Sequence, residues 1–391
     1  MNKKLLCLFL AVLMLCSLAF DACAMRPEPL PEEAPAEAAE GELEFSEPEE
    51  TATPEPSATA EPSPTAEPTA EPTPEAVYIN PLSGEETNRD LSKTRPIAVM
   101  VENNHTGGAM INQAGISQAE ILYEIQVEQI TRCMAIFSDV SDVPAIYPIR
   151  SARTYFVSTA LAYDAVYIHC GESAEGLDWS SAYLQYYVDN DNLNLGSGDD
   201  SYRIEVWPHT GEHGLATSGE LLTGKFASLG TRLEHKAPYD YGLHFTEDAA
   251  PENGESANTI RIVFPSNKIT GMTYAADLGG YTINQWDTEY IDDNTKEKCV
   301  FENVLVLAAP TQVGIDMKYH SAVTVSDYEG DGLFFNGGKM EHIKWKRGSC
   351  NADSLNNPFY YYDSEGNDLE LGVGHTYIAF VSSTYGGATC E

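Results

Sequence analysis

The run PIAVMV, Pro96–Val101, closed by Asn103-Asn104, decides the reading of the fold. It is short, apolar and bounded by turn residues, so it reads as a buried strand that ends in a turn. Working outward, Ile121–Val127 alternates, and Thr131–Phe137 and Ala145–Ile149 are further strand candidates. Ala152–Tyr163 has helical spacing in Tyr155, Phe156, Thr159 and Ala160, and AVYIHC (Ala165–Cys170) is a second buried strand. Leu177–Val188 and Gly219–Leu229 read as helices. This alternation predicts a mixed α/β domain over residues 77–250.

From Thr259 the pattern changes. Thr259–Phe264, Met272–Ile283, Val304–Leu307, Ala322–Ser326, Leu333–Trp345 and Tyr377–Val381 read as strands. Asn336-Gly337-Gly338 and Glu365-Gly366-Asn367 carry hairpin signals, because Gly or Asn supplies positive φ. A mainly antiparallel, β-rich domain is predicted over residues 258–385. The polar stretch Thr246–Asn258, with Pro251 and Gly254, separates the halves. The fold class expected is therefore α/β (α+β).

The charge is divided as sharply as the pattern. The chain has 391 residues and a net charge of −38, from 22 Lys+Arg against 60 Asp+Glu. Residues 1–26 carry +2 and residues 27–76 carry −15, which leaves −25 on the body. Such a chain lacks the basic footprint that nucleic acid demands. It also lacks the charge for peripheral binding to anionic lipid.

The N-terminus reads as an export signal over residues 1–24. Lys3 and Lys4 precede an apolar stretch, Leu5–Leu15, that is too short to remain as a membrane span. Two cleavage chemistries fit. Ala22-Cys23-Ala24 satisfies an ordinary signal peptidase, and Cys23 also suits lipid modification, although Asp21 fits a lipobox poorly. Residues 25–76 form a linker that repeats Ala-Glu-Pro-Ser/Thr-Pro. Pro and mutually repelling Glu leave nothing to offset ordering entropy, so disorder is expected. Its fifty residues from 27 to 76 reach about 40 Å as a coil and about 150 Å if polyproline-like. The expected role is a tether at a membrane or wall layer. Beyond the signal lie Cys133, Cys170, Cys299, Cys350 and Cys390, spaced without a C-x-x-C pair. That argues against structural zinc, and leaves one or two disulfides or free thiols equally open.

Several runs carry a family resemblance. RPIAVMVEN (Arg95–Asn103), ISQAEILYE (Ile116–Glu124), ITRCMAIF (Ile130–Phe137), YPIRSAR (Tyr147–Arg153) and YDAVYIHCGES (Tyr163–Ser173) resemble the YerB-like family of bacterial lipoproteins. So do GDGLFFNGGKMEHIKWKRGS (Gly330–Ser349), PFYYYDSEGN (Pro358–Asn367) and GHTYIAFV (Gly374–Val381). The resemblance covers about residues 78–385. It implies two α/β-type domains and a secreted, usually lipid-anchored protein of Gram-positive-type bacteria, with no assigned activity. It favours lipidation at Cys23. Two departures stand out. The family's Gly-Gly before Ile-Thr-Arg is replaced here by Glu128-Gln129, so that turn must be built differently. In GEHGLATS (Gly211–Ser218) only His213, Thr217 and Ser218 match the family pattern.

The candidate chemistry concentrates in the first half. Glu124, Gln126 and Glu128 lie two apart, so a strand turns them to one face, and Arg132 shares their parity if the strand continues. Two carboxylates there suit acid–base work or a cation; a salt-bridged face is the plainer reading. Arg150 and Arg153 flank Ser151 at a strand-to-helix junction, where guanidinium groups and free N–H groups suit an anion. Pairing of these arginines with Glu124 or Glu128 is the competing reading, and it would preorganise the same site. His169 and Cys170 follow a buried strand, where α/β ligand sites commonly lie. As strand neighbours they point to opposite faces and do not form a nucleophile–base pair; His169 is placed with the arginines. The Asp189–Asp200 run is expected to be a surface loop. No calcium loop, phosphate loop, nucleophile elbow or zinc motif is complete.

The sequence thus predicts an extracytoplasmic protein, lipid-anchored at the cell membrane or secreted. Its expected ligand is a small anionic or peptidic envelope component, bound by Glu124, Glu128, Arg150, Arg153 and His169. The partners expected are an envelope component or envelope protein, and the membrane through Cys23 if that residue is modified. No cofactor and no metal are expected. A wall hydrolase using the carboxylates with His169, or a non-catalytic assembly factor, are the alternatives.

Overall fold

Continuous apolar runs become strands covered on both faces. The first, β1 (Ile97–Asn103), is buried at every position. It is followed by β2 (Ile121–Val127), β3 (Ile130–Phe137), helix α1 (Thr154–Leu161), β4 (Val166–His169), β5 (Asn192–Asn194) and helix α2 (Gly219–Leu229). Ser218 caps α2 by accepting from the Leu221 N–H, and Gly230 ends it at φ 64°. The second half is all strand: β6 (Glu255–Ser256), β7 (Thr259–Val263), β8 (Ile269–Ala275), β9 (Gly280–Gln285), β10 (Thr288–Glu289), β11 (Val300–Phe301), β12 (Asn303–Ala309), β13 (Tyr328–Asn336), β14 (Lys339–Arg347), β15 (Phe359–Tyr362), β16 (Thr376–Ser382) and β17 (Gly387–Cys390). The order matches the expected α/β half followed by a β-rich half. This computed structural model describes residues 76–391, except 107–108, 174–182, 197 and 206. The expected signal, Cys23, nearly all of the linker and half of the Leu177–Val188 helix lie outside the described residues.

One large sheet runs through both halves in the order β6-β14-β13-β12-β16-β2-β3-β1-β4-β5, with β15 beside β14. The joint is the parallel pair β16 and β2, in which Ile378 faces Tyr123 and Ala379 faces Glu124. The regions expected as two domains therefore share a continuous hydrogen-bonded ladder, within one compact unit. A second sheet, β10-β9-β8-β7-β17 with β11 beside β9, covers part of one face.

Strand alternation sorts the core into two layers. Val99, Val101, Leu122 and Tyr377 pack with Ile260, Ile262 and Met272 of the second sheet. Ala98, Met100, Tyr123, Ile125 and Phe380 pack beneath Tyr155, Phe156 and Ala160 of α1.

The turn between β2 and β3 is a two-residue connection, Val127 pairing with Ile130. Such tight turns favour glycine at positive φ, and neither Glu128 nor Gln129 adopts it. Instead the Gln126 amide donates to the carbonyls of Val127 at 2.6 Å, Glu128 at 2.9 Å and Ile130 at 2.9 Å. That staple holds a turn built without glycine. The turn also corrects the expected parity of Arg132: it pairs with Ile125 across the hairpin, on the α1 side and not with Glu124. The Asp189–Asp200 run is corrected too. It contains β5, and Asp191 is 3% exposed.

Candidate functional site

Strand β2 and the turn after it carry two acids to different fates. Glu124 points into the seam between the sheets and is fully buried. One carboxylate oxygen accepts from Asn103 at 3.0 Å, Thr131 at 2.6 Å and the Lys268 ammonium. The other accepts from Thr270 at 2.9 Å, Gln285 at 3.0 Å and the Tyr377 hydroxyl. A carboxylate has about four lone-pair sites, so these donors leave none for a ligand. Burial alone would raise its pKa, but Lys268, Thr131 and Tyr377 hold it below the usual range. Lys268 also reaches Thr270 and Gln285. Glu124 is therefore a structural ion and does not converge with Glu128.

Glu128 belongs to a second cluster, at the C-terminal ends of β1, β2 and β4. Segment 149–152 threads between those ends. The Arg150 N–H donates to Met100 and the Cys170 N–H donates to the Arg150 carbonyl, both at 3.0 Å. Arg153 is the extended N-cap of α1. Its Nε donates to Glu128 at 2.9 Å, its Nη2 joins the same oxygen, and its Nη1 donates to the Ala152 carbonyl at 2.7 Å. Arg132, with 4% of its side chain exposed, donates to the Ser151 carbonyl at 2.8 Å and lies 3.8 Å from Glu128. Arg150 lies 3.5 Å from Glu102 and 3.1 Å from the exposed Glu212. Glu102 also meets His213 Nδ1 at 2.7 Å.

Three guanidinium groups thus surround Ser151, with the buried Glu102, the part-buried Glu128 and the exposed Glu212 set against them. The crowding is felt at Arg132: burial first, then Arg153 and, more weakly, Arg150, push its pKa down to about 10, although Glu128 opposes them. Glu128 is held below its usual range, burial being outweighed by Arg132 and Arg153. On the far side His320 lies 3.8 Å from Glu128 and 2.6 Å from Asp316. Its two ring nitrogens are each 3.3 Å from Ser173 Oγ.

His169 is not part of this group. Its ring nitrogens meet the Gly171 carbonyl at 2.7 Å and the Asn192 side chain at 2.9 Å. Burial lowers its pKa despite both contacts. Cys170 is a free thiol whose pKa burial raises, the reverse of an activated nucleophile. The other described cysteines are free as well, and among the described residues no group of His, Cys, Asp or Glu suits a metal ion. No helix there is long and apolar enough to cross a membrane.

Of the five expected residues, then, the fold gathers Glu128, Arg150 and Arg153 and sets Glu124 and His169 apart. Arg132 was placed on the opposite face, with Glu124, and Glu102 and His320 were missed. For Arg132 and Glu102 the usable signal was their place at strand ends; His320 lies 192 residues beyond Glu128 and gave none.

Comparison with known proteins agrees with this architecture. Residues 82–217 match the N-terminal domain, and residues 260–378 the C-terminal domain, of a family described as protein of unknown function DUF3048. A protein of Bacillus subtilis (strain 168) named "Putative lipoprotein YerB" is 29% identical over 275 residues, 68% of this chain and 77% of that protein. The crystal structure of the B. subtilis YerB protein superposes with a TM-score of 0.64 at 23% identity, over 80% of this chain and 99% of that one. At that identity the likeness speaks for the fold alone.

Proposed function

The chain belongs to the DUF3048 family, and from that premise we propose that it is an exported envelope protein, tethered to the membrane through Cys23. Its body binds a small anionic envelope component at Arg132, Arg150 and Arg153. The observation that carries this reading is the convergence of three guanidinium groups on Ser151 at one end of the sheet, in a body whose net charge is −25. An anion bridging these groups relieves their mutual repulsion and makes charge-assisted bonds with planar forks. The lipoprotein designation of the B. subtilis relative supports the anchor. The hydrolase alternative draws no support from Glu124, whose carboxylate is filled by donors.

Titration calorimetry with muropeptides and inorganic phosphate tests the site. Arg150→Ala is expected to weaken binding by about tenfold or more while circular dichroism stays native. Unchanged affinity, or unfolding of the combined Arg150→Ala and Arg153→Ala variant, would remove the basis of the proposal. Mass spectrometry of the mature N-terminus tests the tether: a diacylglyceryl group on Cys23 is expected, and an unmodified Ala or Met terminus would contradict it.

A further inference from the structure

Tyr202–Arg203 and Leu215–Ala216 pair as two short antiparallel strands. Between them the turn Gly211–His213, none of whose residues is buried, lies on the outer side of Arg150. Arg150 Nη1 donates to the Glu212 carbonyl at 2.9 Å, and its Nη2 donates to the Glu212 carboxylate at 3.1 Å. Arg203 Nη1 donates to the Gly211 carbonyl at 2.7 Å. Two guanidinium groups thus hold one Gly-Glu dipeptide by two successive carbonyls and a carboxylate.

The hold is directed outward. On the inner side Arg150 Nε lies 3.5 Å from Glu102 Oε1, and neither atom makes a hydrogen bond among the described residues. The edge of the Arg150 fork that is satisfied is the one facing the turn. The Glu212 side chain is 72% exposed. Arg203 is exposed as well, and among the described residues it has no carboxylate partner. The turn is anchored at His213, which meets Glu102. At Gly211, φ 59°, a Cβ would meet nothing, so no packing pins that end. An exposed ion pair is weak, and a guanidinium fork suits any carboxylate that can reach it. An external carboxylate can therefore displace Glu212 at little cost to the fold.

We propose that the Gly211-Glu212 segment is a built-in occupant of the arginine site, and that the external ligand is an acidic peptide that takes its place. The peptide's carboxylate replaces that of Glu212 on Arg150, and its flanking carbonyls accept from Arg150 and Arg203. The inference rests on the reading of Arg150 as an anion-binding residue; it adds Arg203 to the site and Glu212 as an internal competitor. A tethered competitor acts at an effective concentration that is roughly millimolar for a short linker, so Glu212 sets the threshold that a free ligand must exceed.

Amide NMR titration of the mature protein with acetyl-Gly-Glu-amide tests this, with acetyl-Gly-Gln-amide and inorganic phosphate as comparators. The acidic peptide is expected to bind at least about fivefold more tightly than its glutamine counterpart. Glu212→Gln is expected to tighten binding of the acidic peptide by about two- to fivefold. Glu205→Gln removes the same charge from an exposed residue of the same loop and is expected to leave the affinity unchanged. Arg203→Ala is expected to weaken binding by about fivefold or more; should that variant disturb the loop, Glu212→Gln decides the matter. Equal binding of the two peptides, no gain in Glu212→Gln, or an equal gain in Glu205→Gln would overturn the inference. Phosphate binding that Arg150→Ala abolishes would, in those cases, leave the arginine site standing without it. Absence of binding by the parent and by Glu212→Gln alike, for both the acidic peptide and phosphate, would remove both.

Discussion

Glu124 and Lys268 meet from positions 144 residues apart, each almost wholly enclosed. A buried pair of this kind contributes little net stability compared with an apolar replacement, but removing one partner strands a charge. Lys268→Met should therefore destabilise the protein by about 3–5 kcal/mol, and Lys268→Met combined with Glu124→Gln by less than the single change. Urea denaturation of the three proteins measures this; a double variant less stable than Lys268→Met would refute it. Asp164 gives the pH counterpart. Burial would raise its pKa, but His235, Arg232 and Arg95 bring it down to about 2 from 3.8. A depressed folded-state pKa adds stability that is complete above the unfolded value and is lost as pH falls through the folded one. About 2 kcal/mol should thus disappear between about pH 4 and pH 2. Acid unfolding monitored by circular dichroism should show a shallower loss in that window for Asp164→Asn than for the parent.

Strands and turns show which local signals survive folding. In the β13–β14 hairpin, Gly337 and Gly338 sit at φ 60° and 76°, as the Asn-Gly-Gly signal predicts. A Cβ on Gly338 would lie 2.9 Å from the Tyr274 ring, whereas one on Gly366, at φ 88°, meets nothing. Both alanine variants bear the left-handed cost of about 1–2 kcal/mol, and Gly338→Ala bears a clash as well. Gly338→Ala should melt at a lower temperature than Gly366→Ala; equal melting would show that Tyr274 yields freely. Strand positions were legible because apolar runs and glycine turns are local. Face assignments across a turn were not. Arg132 changed sides because the chain reverses at Glu128-Gln129, a turn without glycine that only the Gln126 staple explains. Asp191 was hidden for a similar reason. A run rich in Asp and Asn reads as solvated until Arg95 and Arg232 arrive from distant segments to pair with it.

At the scale of the whole molecule, the two family domains are consecutive in sequence but not independent in structure. The polar stretch at 246–258 marks a change of pattern and is bridged elsewhere by β16 and β2. Glu124 belongs to the first half, while Lys268, Thr270, Gln285 and Tyr377 belong to the second. Separating the halves would open a parallel ladder, expose β2 as an apolar edge and leave a buried carboxylate without its cation. The arginine cluster depends on the same seam, because His320 reaches Glu128 from the second half. Residues 77–250 and 258–391 expressed apart should therefore each lack dispersed amide NMR spectra, and should regain them when produced together. A folded 77–250 fragment with native-like dispersion would show instead that the seam is a docking surface between domains that fold alone.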